Sequence, residues 1–258
     1  MKFSTFATYL KQLEKTPLRN KMTEILAELF KKCSADEIDK ACYLALGRLA
    51  PKYEGIEFNM GEKLVIRAVA VAFGTQTNKV AEDYKKTGDL GEVVWEAAPD
   101  IKIATLKTQN LLRSLKNLSV VEVYKELWEI AEDSGEGSVD RKINKLAELM
   151  KEIDPLSAKY IARIPVNKLR LGFSDMTILD ALSWMKTGDK SLRPELERAF
   201  NVKADIGKIS KVFKIGGMRE IRAIKSQVGV PIRAALAERL KDPKKSFEIV
   251  DESDKNFI

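Results

Sequence analysis

Apolar residues recur three or four positions apart along almost the whole chain, a period that predicts helices nearly throughout. Phe3, Phe6, Ala7, Leu10 and Leu13 share one helical face, with Ser4 placed to cap its start. Thr16-Pro17 opens a second helix, hydroxyl at the cap and proline in the first turn, with Met22, Ile25, Leu26, Leu29 and Phe30 turned inward. A third is expected from Ser34 to Leu49, opened by Asp36, Glu37 and Asp39, whose charges suit a helix N-terminus, and ended by Pro51. Residues 53–58 then cross to a helix from Gly61 to Phe73. Gly74 stops it, and a short helix from Asn78 to Lys86 precedes Gly88. Residues 118–132, 139–153, 157–163, 176–184 and 194–200 repeat the scheme. Only short runs such as Phe247-Glu248-Ile249-Val250 fit a strand, and Gly216-Gly217 reads as a loop. The predicted fold class is all-α.

The pattern also repeats on a longer scale. Leu26-Ala27-Glu28-Leu29-Phe30 returns as Leu146-Ala147-Glu148-Leu149-Met150, Ala41-Cys42-Tyr43-Leu44 as Ala158-Lys159-Tyr160-Ile161, and Gly88-Asp89-Leu90-Gly91 as Ala204-Asp205-Ile206-Gly207. The three pairs keep their order at spacings of about 116 to 120 residues, as an internal duplication would. Halves of about 1–117 and 118–225, inside a helical body reaching residue 240, are expected to pack with pseudo-two-fold symmetry, each burying the same apolar face. Such a body suits a nearly symmetric ligand such as duplex DNA, and it equally fits a duplicated scaffold with no such role.

Composition narrows the class. The formal charge of +7 favours an anionic partner. Two stretches lack any carboxylate: residues 155–174, with Lys159, Arg163, Lys168 and Arg170, and residues 101–121, with Lys102, Lys107, Arg113 and Lys116. With no long apolar run and no charged-then-apolar leader, the chain is expected to be soluble, intracellular and free of any membrane. It contains no histidine, which removes serine triads, cysteine–histidine pairs and histidine-ligated metal. Cys33 and Cys42 fall within apolar helical patterns, as buried thiols of a reducing compartment would. There is no P-loop and no Gly-x-Gly-x-x-Gly turn, so neither a catalytic residue nor a metal ligand is expected.

Three loops carry candidate chemistry. Asn167 to Ile178 is a basic turn running into a helix. Lys168, Arg170 and the backbone N–H groups at that start would grip phosphate, Ser174 would cap it, and Gly172 would let the main chain approach a groove wall. Taken alone, these residues fit a solvated turn at least as well. Gly135-Glu136-Gly137-Ser138, followed by Arg141 and Lys142, reads either as a second contact or as a connector between halves. Gly88-Asp89-Leu90-Gly91, behind Lys85 and Lys86, fits a capping aspartate and a tight-turn glycine better than a contact.

The runs Leu46-Gly47-Arg48-Leu49-Ala50-Pro51-Lys52-Tyr53-Glu54-Gly55, Gly61-Glu62-Lys63, Gly88-Asp89-Leu90-Gly91, Lys168-Leu169-Arg170-Leu171-Gly172 and Val230 to Arg239 resemble the N-terminal DNA-binding domain of ATP-dependent DNA ligases of the archaeal and eukaryotic type. The resemblance covers almost the whole chain in the right order. It implies an all-helical, internally two-fold domain over residues 1–240 that binds the minor groove on both sides of a nick, without sequence specificity, during replication and repair. Residues 226–258 would be the linker and the start of a nucleotidyltransferase domain. The DNA-binding residues implied are Arg19 and the loop with Lys168, Leu169, Arg170, Leu171, Gly172, Phe173, Ser174 and Thr177, joined by Gly137, Ser138 and Lys142 from the loop reading. Implied partners are nicked duplex DNA and the ligase's own catalytic domains, with a sliding clamp as a further candidate and a monomeric state expected. ATP and magnesium would serve the full-length enzyme. Ligases attack ATP with the lysine of a Lys-x-Asp-Gly motif, which this sequence lacks, so the chain is read as a truncated ligase that binds DNA without adenylylating itself and needs no cofactor of its own. A helical protein-interaction scaffold is the alternative.

Overall fold

The computed structural model describes residues 1–98 and 115–233. Lys102, Lys107, Arg113, the expected strand at 247–250 and the end of the 230–239 segment lie outside the described residues. Among those described there are twelve α-helices and no strand. They are α1 (Phe3–Glu14), α2 (Arg19–Lys32), α3 (Ile38–Ala45), α4 (Glu62–Phe73), α5 (Thr77–Thr87), α6 (Leu90–Ala97), α7 (Val120–Glu132), α8 (Ser138–Glu152), α9 (Pro155–Arg163), α10 (Asp175–Thr187), α11 (Arg193–Val202) and α12 (Ile206–Arg222). The all-α class holds.

Side-chain caps set four of the helix starts. Ser119 and Glu122 form a reciprocal capping box on α7. Asp154 caps α9 ahead of Pro155, Asp89 caps α6 by accepting from Gly91 N–H at 2.8 Å, and Asp205 caps α12 by accepting from Lys208 N–H at 2.8 Å. Gly88 ends α5 at φ 64°, so the capping aspartate and tight-turn glycine read from the sequence are both present.

Other boundaries differ from expectation. Ser4 lies inside α1, whose cap position is Lys2; backbone bonds Phe3 N–H to Leu118 O and Val120 N–H to Met1 O tie that end to the start of α7 instead. Leu18, rather than Thr16, precedes α2, because the Thr16 hydroxyl accepts from Leu18 N–H and holds a turn there. The third helix starts at Ile38, since the Glu37 carboxylate takes Ser34 N–H and the N-terminal ammonium in a separate turn. Gly216-Gly217 interrupts α12 without forming an extended loop: Gly217 leaves the helical conformation (φ 62°, ψ −152°), and the two helical segments meet there in a kink, with Ile206, Ile209 and Phe213 buried before it and Ile221 after it.

Packing is crosswise. Helix α2 lies on α10 and α4 on α8, while α3 lies on α12 and α6 on α9. Two of these crossings are close. A Cβ on Gly91 of α6 would stand 2.9 Å from the Lys159 backbone oxygen of α9, and one on Gly207 of α12 would stand 2.3 Å from Tyr43 Cζ of α3. One continuous apolar core links all the helices except α5's outer face, from Phe3 and Phe6 through Leu26, Val69, Leu146 and Leu179 to Phe213. Cys33 and Cys42 are free and buried in it; burial pushes the Cys33 thiol up to about 12 and Cys42 higher still.

Candidate nucleic-acid interface

The loop between α9 and α10 alternates inward and outward. Leu169 and Leu171 are buried and anchor it, while Lys168, Arg170, Gly172 and Ser174 face solvent and Phe173 is half-buried. The alternation needs unusual backbone: Asn167, Arg170 and Gly172 all have positive φ, and only the glycine adopts it without strain. Thr177 is buried in the first turn of α10, so Leu169, Leu171 and Thr177 shape the loop rather than present side chains to a ligand. Ser174 occupies the cap position of α10, yet its hydroxyl makes no capping bond, contrary to expectation. The loop lies over the start of α2. A Cβ on Gly172 would be 3.8 Å from Met22 Cε, one turn beyond exposed Arg19, the first residue of that helix. Gly172 therefore lies beside the start of α2, whose first residue is the exposed Arg19, and Lys168 and Arg170 are exposed on the same loop as Gly172.

The loop's two cations are already engaged. Lys168 pairs with Glu62 at the start of α4 and donates to Tyr84 Oη at 3.4 Å. The Lys168 hydrogen bond holds the Glu62 carboxyl below its usual range, and Glu62 raises the lysine in return. Arg170 donates to the Gly88 carbonyl and stands 3.7 Å from Asp89 Oδ2.

The acid-free character of residues 155–174 does not survive folding. Arg163 is 1% exposed at the centre of a buried cluster, bonded to Asp89 at 2.7 and 2.9 Å and to Glu14 at 2.9 Å; Lys159 meets Glu92 at 2.6 Å and Glu14 at 3.3 Å. Burial raises the Asp89 and Glu14 carboxyls, but the Arg163 hydrogen bonds outweigh it and hold both below their ordinary values. Half the cations of that stretch are thus structural. Lys116, from the second stretch, pairs with Glu152.

The Gly135–Ser138 turn is tied to itself. Gly135 and Gly137 take positive φ, and Arg141 clasps Asp133 at 2.7 Å together with the carbonyls of Ser134 and Glu136. Gly137 is exposed and Ser138 half-buried at the first position of α8. Lys142 must be removed from the candidate contacts: it is buried, and its ammonium donates to Phe58 O at 2.7 Å and Ala131 O at 3.3 Å. Burial holds that amine below the usual lysine range. Its charge fixes the loop between α3 and α4 to the start of α8.

That loop and the α9–α10 loop face each other across a cleft of about 820 Å³, lined by Arg48, Lys52, Asn59, Asn167, Ser174 and Asp175 among others. Gly47 stacks against Leu169, and Arg48 pairs with Asp175 across the cleft. Arg48 was not among the residues singled out from sequence as a contact; only its place in the 46–55 run marked it. No helix among the described residues is long and apolar enough to cross a membrane.

Residues 2–183 match the protein family described as DNA ligase N terminus. The chain is 48% identical over 240 residues to a probable DNA ligase of Dictyoglomus thermophilum, covering 93% of this chain and 39% of that protein. It is 44% identical over 244 residues to a DNA ligase of Sulfurisphaera tokodaii (94% of this chain, 41% of that protein) and 40% identical over 255 residues to one of Saccharolobus shibatae (97% and 42%). The chain thus spans about two fifths of the length of the relatives it matches.

Proposed function

The chain belongs to the DNA ligase N-terminal family, and from that premise we propose that it grips duplex DNA and positions a nick for sealing by an ATP-dependent ligase. One observation carries the reading: the α9–α10 loop, with exposed Lys168, Arg170 and a bare glycine, lies beside the start of α2, where Arg19 is exposed. The crosswise packing supports a two-sided grip. Helices α2 and α8, α3 and α9, and α6 and α12 carry the sequence repeats; α3 packs on α12 and α6 on α9, joining the two sets, while α2 packs on α10 and α8 on α4. A pseudo-two-fold body of this kind meets the two flanks of a nick with related surfaces. The cleft lies where the α3–α4 and α9–α10 loops meet.

Binding of this kind is electrostatic and non-specific. Phosphate contacts carry no sequence information, and the minor groove offers only a degenerate code. ATP and magnesium belong, in this reading, to the part of the ligase outside this sequence, which has no Lys-x-Asp-Gly lysine to attack the nucleotide. The chain's contribution to sealing is to hold the duplex at high local concentration beside that chemistry. An intracellular setting follows from the substrate.

Fluorescence anisotropy on nicked duplex and on single-stranded DNA, at two salt concentrations, tests it. Affinity for the duplex should fall with a log–log salt slope near −0.9 per phosphate neutralised. Arg19→Ala or Arg170→Ala should each weaken binding by about 1–3 kcal/mol and reduce that slope by about one, with the fold intact. A flat salt response would favour the protein-interaction scaffold.

A further inference from the structure

We propose that Arg48 is an additional phosphate-binding residue of the duplex-binding face, held in reserve by Asp175 until DNA displaces that carboxylate. The inference rests on the function proposed above and deepens it.

Arg48 lines the cleft from the α3–α4 loop, and Asp175 stands opposite it in the first turn of α10. A guanidinium presents Nε and Nη2 as a fork matched to two oxygens of a carboxylate or phosphate. Here the fork is half filled. Nη2 donates to Asp175 Oδ1, while Nε is buried with no hydrogen-bond partner. An unpartnered buried donor is costly and calls for a reason. A phosphodiester offers the two oxygens that the fork lacks.

The pair is also placed for exchange. Its side chains are 17% and 21% exposed, and they join the two loops that border the cleft. Asp175 is the first carboxylate after the acid-free run of residues 155–174, and it follows directly on the loop that carries Lys168 and Arg170. Those two cations are likewise parked on internal acceptors, Glu62 and the Gly88–Asp89 turn. Lys168, Arg170 and Arg48 are therefore each preformed and partly neutralised, so that a phosphate takes over an existing partner's place. Of the three, Arg48 alone has a buried guanidinium nitrogen, Nε, that no acceptor meets.

The test is a double-mutant cycle on the full chain, read by anisotropy with a nicked duplex over a salt series. Asp175→Asn should tighten binding by about tenfold, the order of one charge-assisted hydrogen bond formed without displacing a carboxylate, and steepen the salt slope by about one. Arg48→Gln should weaken binding and flatten the slope by about one. In the Arg48→Gln background, Asp175→Asn should bring no more than a small improvement. If it tightens binding equally there, the effect is mere loss of negative charge and the latch is refuted. Weakened or unchanged binding by folded Asp175→Asn refutes it as well. Should Asp175→Asn fail to fold, an unaltered salt slope in folded Arg48→Gln is sufficient to overturn the proposal. Titration with inorganic phosphate at matched ionic strength separates sources: competition at millimolar phosphate would mean a free-anion site and would overturn the assignment to the duplex backbone. Failure of the wild-type chain to bind duplex at low salt instead overturns the function itself.

Discussion

Replacing Arg163 by methionine removes the hub of the buried ionic cluster while keeping much of its apolar stem. The guanidinium is 1% exposed and bonds Asp89, whose side chain is 9% exposed, as well as Glu14 and Glu92, at 25% and 38%. Removing one partner from a buried ion pair costs about 3–5 kcal/mol, because the remaining charge is left without compensation. The lower end applies here. Lys159 still reaches Glu14 and Glu92, and both acids keep some water, so Asp89 bears most of the loss. Against a total stability on the order of 5–15 kcal/mol, the variant should fold but unfold at clearly lower urea, by about 3 kcal/mol from helical circular dichroism. The pH dependence fixes the cause. Asp89 and Glu14 have depressed folded-state values, so their contribution is present above the unfolded-state range and is lost as pH falls through the folded values. The gap between wild type and variant should therefore narrow from roughly pH 5 downward. A loss below about 1 kcal/mol, or a gap that stays constant in acid, would refute a structural role for Arg163.

Two further substitutions test the packing. Gly91→Ala and Gly207→Ala would each gain up to about 1 kcal/mol in helix propensity, yet the added methyl meets Lys159 O and Arg163 in one case and the Tyr43 ring in the other. Overpacking of about 1–3 kcal/mol should win, and thermal melts should show both variants destabilised, Gly91→Ala more so because a backbone oxygen cannot swing aside; a rise in melting temperature would disprove the close crossings. Lys142→Met should lower stability by about 1–3 kcal/mol by stranding the carbonyls of Phe58 and Ala131, while leaving the salt slope of DNA binding unchanged; a slope reduced by one would mean that Lys142 does face phosphate.

Sequence alone determined what depends on neighbours along the chain. Apolar spacing of three or four located ten of the helices approximately, and Asp89 was legible as a cap, with Asp205 as its repeat counterpart, because a cap reaches only two or three residues ahead. The helices α6 and α12 were missed as helices although the Asp89 cap was recognised, since glycines depress helix propensity, and at Gly91 and Gly207 it is close packing against α9 and α3 that makes glycine fit. The basic loop with Lys168, Arg170 and Gly172 was also visible, because its cations, its glycine and the helix start after Ser174 are all read from neighbours along the chain.

Tertiary structure decided which charges are free. Arg163 finds Glu14 across 149 residues and Asp89 across 74, and Lys142 finds Phe58 across 84, so a run without acids in sequence said nothing about acids in space. It also set Arg48 against Asp175, 127 residues away, across a cleft that neither loop forms alone. The reason is physical: helix periodicity and capping are fixed by short-range geometry, whereas the state of a charge depends on burial and on partners that only the crosswise packing of the helices brings within a few ångströms.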